Sequence, residues 1–130
     1  MRVLEPKEVV RLFRAEVQMA GSISAWARRT SIQRATVSNV FHNKKPFSKK
    51  MLRALGLRKA LFSANDSRVL ETREIIRLLR TQVAQAGSQS AWALDTGIHR
   101  SEINKVLRGK RLPNKQMMHA LGLRVVIVKD

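Results

Sequence analysis

The side chains that could do chemistry in this sequence are mostly cationic. The 130 residues include 26 Lys or Arg and 9 Asp or Glu, so the formal net charge is +17. No acidic residue occurs between Glu16 and Asp66, and that interval contains ten Lys or Arg residues. A charge excess of this size favours a polyanionic partner, either a nucleic acid or an anionic membrane surface.

The sequence lacks the residues that catalysis or metal binding requires. The chain contains no Cys, which excludes disulfides, thiolate metal sites and cysteine nucleophiles. Its three histidines, His42, His99 and His119, are not at metal-ligand spacing. The sequence shows no nucleophile with a base, no paired carboxylates and no phosphate-cradling loop. We therefore expect a protein that is not an enzyme and that uses neither a cofactor nor a metal.

The composition bounds the class of protein further. A hydrophobic content of 44% is typical of a folded domain and not of a disordered basic tail. No stretch approaches the roughly 18 apolar residues of a membrane span, and the N-terminus lacks the apolar core of a signal peptide. We expect a cytoplasmic protein, and membrane-surface binding is disfavoured because the apolar faces are needed for its cores.

An internal repeat organises the chain. A shift of 66 residues aligns 2–64 with 68–130 without a gap, and 28 of the 63 aligned positions are identical. The polar segment Ser63–Ser67 joins the two copies. We predict two domains, 1–66 and 67–130.

The first 20 residues of each repeat are typical of an amphipathic helix. Val9, Phe13, Val17 and Ala20 recur at spacings of four, four and three, which places them on one helical face. Equivalent residues follow 66 positions later. Gly21 marks the predicted end of the first helix.

Three shorter helices and a strand complete each predicted domain. In the first repeat, Ser22 can cap the second helix, the third is predicted over about Gln33–Phe41, and Leu57–Phe62 is strand-like. In the second repeat the third helix is predicted over His99–Leu107, and the strand over Leu123–Val128. A fourth short helix precedes each strand.

The junction between the second and third helices is the most informative segment. Two short helices joined by a tight turn need a small residue at their contact, supplied by Ala93, and a residue tolerant of positive φ, supplied by Gly97. Trp92 and Ile98 fall at spacings that point inward, so we assign Trp92, and Trp26 at the equivalent position, to the core and not to base stacking. Ser31 replaces the turn glycine in the first repeat, at some cost in turn stability.

With those residues in place, the chain resembles the Cro/C1-type, phage-repressor-like helix-turn-helix family in two fused copies. The resemblance covers nearly all of each repeat, through Ala54–Arg58 and Ala120–Arg124. It implies a mainly α fold of two tandem helix-turn-helix domains with about four helices each. In dimeric relatives a C-terminal strand pairs across the two-fold axis. The resemblance therefore implies a monomeric pseudo-dimer whose two C-terminal strands can pair as a two-stranded sheet.

The resemblance also implies a function: a sequence-specific, double-stranded DNA-binding transcriptional regulator of a phage or mobile element, located on the nucleoid. In the family the third helix enters the major groove and its exposed positions read base edges. The residues at those positions are Gln33, Arg34, Ala35, Ser38, Asn39 and His42, and His99, Arg100, Ser101, Asn104, Lys105 and Arg108. Only Arg34 and Arg100 agree, so we expect an imperfect palindrome whose half-sites share a guanine and lie about 34 Å apart.

Polar and basic residues around the third helices are expected to contact phosphate. They are Ser22, Ser24, Lys44, Lys45, Lys49, Ser88, Gln89, Ser90, Lys110, Arg111 and Lys115. Gln89 matches a family position that usually touches phosphate, whereas its counterpart Ile23 cannot do so. Glu102 could accept from cytosine N4 or pair with a neighbouring Lys, and Arg14 could face either DNA or solvent. The sequence leaves both questions open.

Two other functions also stay open. A protein-interaction module or antiactivator built on the same fold would bind RNA polymerase or another regulator. A non-specific nucleic-acid-binding protein would bind DNA or RNA without a preferred site. A stable protein complex in the absence of DNA favours the former, and binding without a preferred sequence favours the latter.

Overall fold

Eight helices and four short strands make up the chain in the computed structural model, which describes all 130 residues. The helices are α1 (Pro6–Ala20), α2 (Ile23–Thr30), α3 (Arg34–Phe41), α4 (Lys49–Ala54), α5 (Thr72–Ala86), α6 (Gln89–Thr96), α7 (Arg100–Leu107) and α8 (Lys115–Ala120). The strands are β1 (Arg2–Leu4), β2 (Leu57–Ser63), β3 (Arg68–Leu70) and β4 (Leu123–Lys129). The fold is mainly helical with a small antiparallel sheet, and none of its helices has the length and apolar character that a membrane crossing requires.

The long helix α1 has a capped beginning and a glycine at its end. Glu8 Oε1 accepts a hydrogen bond from the backbone N–H of Glu5 at 3.1 Å, which satisfies a donor that the first helical turn leaves free. Pro6 occupies the first turn, where its missing N–H costs nothing. Gly21 ends the helix with a φ of 106°, as the sequence predicts. The helix α5 repeats the hydrogen bond at its beginning and the glycine at its end, and has Thr72 at the position of Pro6.

The first compact unit contains residues 1–59 together with the last five residues, 126–130. Val3 in β1 pairs antiparallel with Val128 in β4. Ile127, the neighbouring residue of β4, packs against the core of this unit, so a strand from the opposite end of the sequence contributes to it. The predicted domains, 1–66 and 67–130, instead assign these last five residues to the second repeat.

The second compact unit contains residues 60–125 and therefore begins inside β2. Phe62 in β2 pairs antiparallel with Val69 in β3. The structure has a four-stranded antiparallel sheet in place of the two-stranded sheet that the resemblance implies. Strands β1 and β3 are additions that the sequence analysis did not predict, because three residues are too few to show an alternating pattern.

The core of the first unit centres on Phe13, which is 1% exposed. Its ring packs edge-to-face against Trp26, Phe41 and Phe47 at centroid distances of 5.3, 5.9 and 5.3 Å. Edge-to-face contacts of this kind stabilise aromatic clusters beyond the burial of their area. Trp26 is 2% exposed, so it is a core residue, as predicted for the equivalent Trp92.

The core of the second unit uses aliphatic side chains at the same places. Leu79 is fully buried at the position that Phe13 holds in the first unit, and Ile103 and Met117 are also fully buried. Trp92 is 4% exposed and belongs to this core, as predicted. Each unit therefore has a separate apolar core that fixes its own short helices.

Candidate nucleic-acid interface

A left-handed turn connects each third helix to the helix before it. Ser31 adopts a φ of 59° between α2 and α3, and Gly97 adopts a φ of 73° between α6 and α7. A residue with a Cβ is disfavoured in this conformation, which explains the expected cost at Ser31. Lys50 Nζ donates a hydrogen bond to the Ser31 carbonyl at 2.7 Å and so stabilises the turn that lacks glycine. This contact of Lys50 could not be predicted from the sequence, because the distance between Lys50 and the turn is set by packing.

The helix α3 buries one face and presents the other to solvent. Val37 and Val40 are buried, which anchors the helix to the first core. The residues predicted to read bases lie on the remaining surface: Gln33, Arg34, Ala35 and His42 are exposed, and Ser38 and Asn39 are half-buried. Gln33 is the residue before the helix and not its first residue, a correction of one position.

The helix α7 is arranged in the same way in the second unit. Ile103 and Val106 are buried against the second core. The predicted base-reading residues again lie on the outer surface: His99, Arg100, Ser101, Lys105 and Arg108 are exposed, and Asn104 is half-buried. His99, like Gln33, precedes its helix. Each third helix thus presents a polar, cationic face to solvent and buries its apolar side chains on another face.

The two histidines of these faces have opposite hydrogen-bonding character. His42 Nδ1 lies 2.8 Å from the carbonyl oxygen of Ser38, which can only accept, so the proton is on Nδ1 and a neutral ring presents Nε2 as an acceptor. His99 Nδ1 accepts from the backbone N–H of Ser101 at 3.3 Å, so its neutral ring presents Nε2–H as a donor. The faces differ in chemistry at these positions as well as in residue type.

One of the two arginines predicted to read guanine is held by a hydrogen bond and its counterpart is not. Arg34 Nε donates to Ser24 Oγ at 2.7 Å. The equivalent residues of the second unit, Ser90 and Arg100, are both exposed and are not hydrogen-bonded to each other. Ser24, predicted to contact phosphate, is therefore engaged by a neighbouring side chain.

Glu102 pairs with two cations of the second unit, which is one of the two possibilities that the sequence left open. Its carboxylate accepts from Arg111 Nη1 at 2.8 and 3.0 Å, and Lys105 Nζ lies 3.7 Å from Oε1. The hydrogen bond from Arg111, followed by the nearby positive charges, holds the pKa of Glu102 below its ordinary value. Glu102 is thus ionised at neutral pH, and Thr36 stands at its position in the first repeat.

The remaining residues predicted to contact phosphate are of three kinds: lysines, capping serines and Gln89. The lysines are exposed and form no ion pair: Lys44, Lys45, Lys49, Lys110 and Lys115. Ser22 and Ser88 cap α2 and α6, since each Oγ accepts from a backbone N–H at 3.0 Å, and each hydroxyl can still donate. Gln89 is half-buried, and its Oε1 is buried without a hydrogen-bond partner.

Arg14 contributes to the structure of the first unit. Its Nη2 donates to the carbonyl oxygen of Phe41 at 3.3 Å, and its guanidinium lies 4.7 Å from the centroid of the same ring. These contacts satisfy a free carbonyl near the end of α3. Arg14 therefore helps to fix the candidate reading helix, although its own side chain remains exposed.

In comparisons with known proteins, no family model, no curated protein and no solved structure matches the chain. The chemistry of the two third-helix faces follows from their own residues. Guanidinium and ammonium groups donate to anionic or carbonyl oxygens, and amide and imidazole groups offer both donors and acceptors. Each face is polar and hydrogen-bonding, which suits a polar partner and not an apolar ligand.

Proposed function

We propose that this chain binds double-stranded DNA in a sequence-specific manner, as a transcriptional regulator with two tandem helix-turn-helix domains. The observation that carries the proposal is the repeated pair of short helices, α2 with α3 and α6 with α7, whose second member turns a polar, cationic face outward. Arg34 and Arg100 occupy the same position on these faces. An arginine there can donate two hydrogen bonds to O6 and N7 of guanine.

The distribution of charge supports a duplex as the partner. Five exposed lysines without ion pairs flank the two third helices. These five lysines are candidates for phosphate contacts, whereas Arg111 is engaged by Glu102. Neutralising about five phosphates predicts a slope of log K against log salt concentration of about −4.5. We therefore expect the affinity for duplex DNA to depend strongly on salt concentration. The contribution of base contacts to that affinity should remain at high salt.

The different chemistry of the two faces supports an asymmetric target. In its neutral form the His42 ring presents Nε2 as an acceptor. Arg108, at the equivalent position of the second repeat, presents donors. His99 presents a donor at the beginning of its helix, where Gln33 presents an amide. Donors and acceptors select different base edges in the major groove. We therefore propose an imperfect palindrome as the binding site.

A competition experiment tests the proposed function. The labelled probe is a duplex recovered from genomic fragments bound to the intact chain, and the competitors are unlabelled random duplex, single-stranded DNA and RNA. We expect the complex to persist in a thousandfold excess of random duplex at about 0.15 M salt. Competition by all polyanions in proportion to their charge would support the non-specific nucleic-acid-binding alternative instead.

A second candidate function, a protein-interaction module, is favoured by two exposed leucines of the second unit. Leu94 is 86% exposed and Leu112 is 63% exposed, whereas Arg28 and Pro46 stand at these positions in the first repeat. Exposed apolar side chains are candidates for protein contacts, although single ones are common. A complex with RNA polymerase that forms without DNA and is lost in Leu94→Arg would support this function. Its absence would leave DNA binding as the explanation.

A further inference from the structure

A hydrogen bond in the first unit connects the beginning of α2 to the beginning of α3. Arg34 Nε donates to Ser24 Oγ at 2.7 Å. Ser24 is half-buried near the start of α2, and Arg34 is the first residue of α3 and is exposed. The contact therefore holds the inner part of the guanidinium against the protein and leaves its outer end in solvent.

This contact decides which edge of the guanidinium remains free. Because Nε is engaged, the two Nη nitrogens carry the remaining donors, and neither is in a hydrogen bond or an ion pair. Two parallel N–H donors match the O6 and N7 acceptors of guanine in the major groove. The bond to Ser24 thus orients Arg34 for contact through its outer end.

The second unit contains the same two residues without the contact. Ser90 and Arg100 stand 66 positions after Ser24 and Arg34, and the side chain of Arg100 is free in solvent. The two units therefore differ in how the arginine is held and not in which residue is present. An arginine that is already fixed loses less rotamer freedom when it binds a base.

We infer that Ser24 is a positioning residue that sharpens guanine recognition by Arg34, and that it is not a phosphate contact. The inference depends on the proposed DNA-binding function. It assigns the two units different roles toward the shared guanine: the first discriminates it through an oriented arginine, and the second through a mobile one. Removing the Ser24 hydroxyl should reduce the preference for guanine about three- to tenfold.

The test uses the intact chain and a duplex selected from a random pool. The guanine of each half-site is replaced in turn by 7-deazaguanine, which lacks the N7 acceptor. Ser24→Ala should reduce the discrimination against 7-deazaguanine in one half-site and leave the affinity for random duplex unchanged. Ser90→Ala is the matched control and should leave the discrimination against 7-deazaguanine unchanged in both half-sites. In a chain that already carries Arg34→Ala, Ser24→Ala should have no further effect on base preference.

A measurement without DNA tests the contact itself. The N–H of Arg34 Nε should exchange with water more slowly than that of Arg100, and Ser24→Ala should remove the difference. Equal exchange in the unaltered protein, or equal loss of affinity for specific and random duplexes in Ser24→Ala, would overturn the inference while leaving DNA binding intact. A chain that selects no duplex from the pool would overturn the proposed function and the inference together.

Discussion

Replacing Glu102 with Gln should increase the affinity of the chain for duplex DNA of any sequence. The carboxylate of Glu102 accepts from Arg111 at 2.8 and 3.0 Å and lies 3.7 Å from Lys105 Nζ. It thereby engages two cations of the candidate interface. Because the hydrogen bond from Arg111 holds the pKa of Glu102 below its ordinary value, this charge is present at neutral pH. The substitution releases Arg111 for a phosphate.

The size of the effect follows from counterion release. One additional phosphate contact steepens the slope of log K against log salt concentration by about 0.9, which corresponds to at most about eightfold in affinity at 0.1 M salt. The side chains of Glu102 and Arg111 are 24% and 53% exposed, so water already weakens the ion pair. We therefore expect an increase of about three- to fivefold.

Fluorescence anisotropy titrations of a labelled random duplex at several salt concentrations measure both quantities. Asp95→Asn is the matched control, because it removes the same formal charge from α6, where Asp95 is exposed and forms no ion pair. The control should change the affinity by less than about twofold. Equal gains in both variants would refute the reasoning, since net charge alone would then account for the effect. An unchanged salt slope in Glu102→Gln would refute it as well.

Three further predictions concern reading, acid stability and packing. Arg100→Ala should reduce the free energy of binding to the preferred duplex by about 1–3 kcal/mol and weaken the base preference at that position. Lys110→Ala should reduce the affinity for all duplexes alike and lower the slope of log K against log salt concentration by about one. Competition titrations measure both effects. Hydrogen bonds from Arg58 hold the pKa of Asp130 below its ordinary value of 3.8. The ionised carboxylate therefore stabilises the folded state above pH 3.8, and this stabilisation is lost as the pH falls through the pKa of the folded state. Urea unfolding at a series of pH values should therefore show a smaller acid-induced loss in Asp130→Asn, and identical profiles would contradict this. Phe13→Leu, which introduces the residue of the second unit, should lower the free energy of unfolding by about 1–3 kcal/mol, because three edge-to-face contacts are lost. An unchanged urea midpoint would contradict that prediction.

The local structure of the helices could be predicted because it depends on neighbouring residues. The spacing of Val9, Phe13 and Val17 defines the buried face of α1, and all three are at most 5% exposed. Ser22 caps α2 as predicted, with Oγ accepting from a backbone N–H at 3.0 Å. The left-handed conformation at Ser31 follows from its alignment with a glycine in the other repeat. The first two features are encoded within a few turns of sequence, and the third is found by comparing the two repeats.

Features that depend on distant residues could not be predicted in the same way. The last five residues of the chain belong to the first compact unit, and a comparison of repeats cannot show this because it divides the chain once. The contact between Arg34 and Ser24 joins two helices across a turn, and the contact between Glu102 and Arg111 depends on the path of a loop. Both pairs have complementary chemistry in the sequence, but their distances are set by the packing of whole helices.

The central claim is that the third helix of each repeat reads the bases of duplex DNA. The most direct measurement is the selection of bound sequences from a random duplex pool by the intact chain, repeated with Arg34→Ala and with Arg100→Ala. We predict an imperfect palindrome in which corresponding positions of the two halves share a guanine, and in which each variant loses the preference for that guanine in one half only. A pool without enrichment, a perfectly symmetric consensus, or variants that select the same sequence as the unaltered chain would contradict the claim.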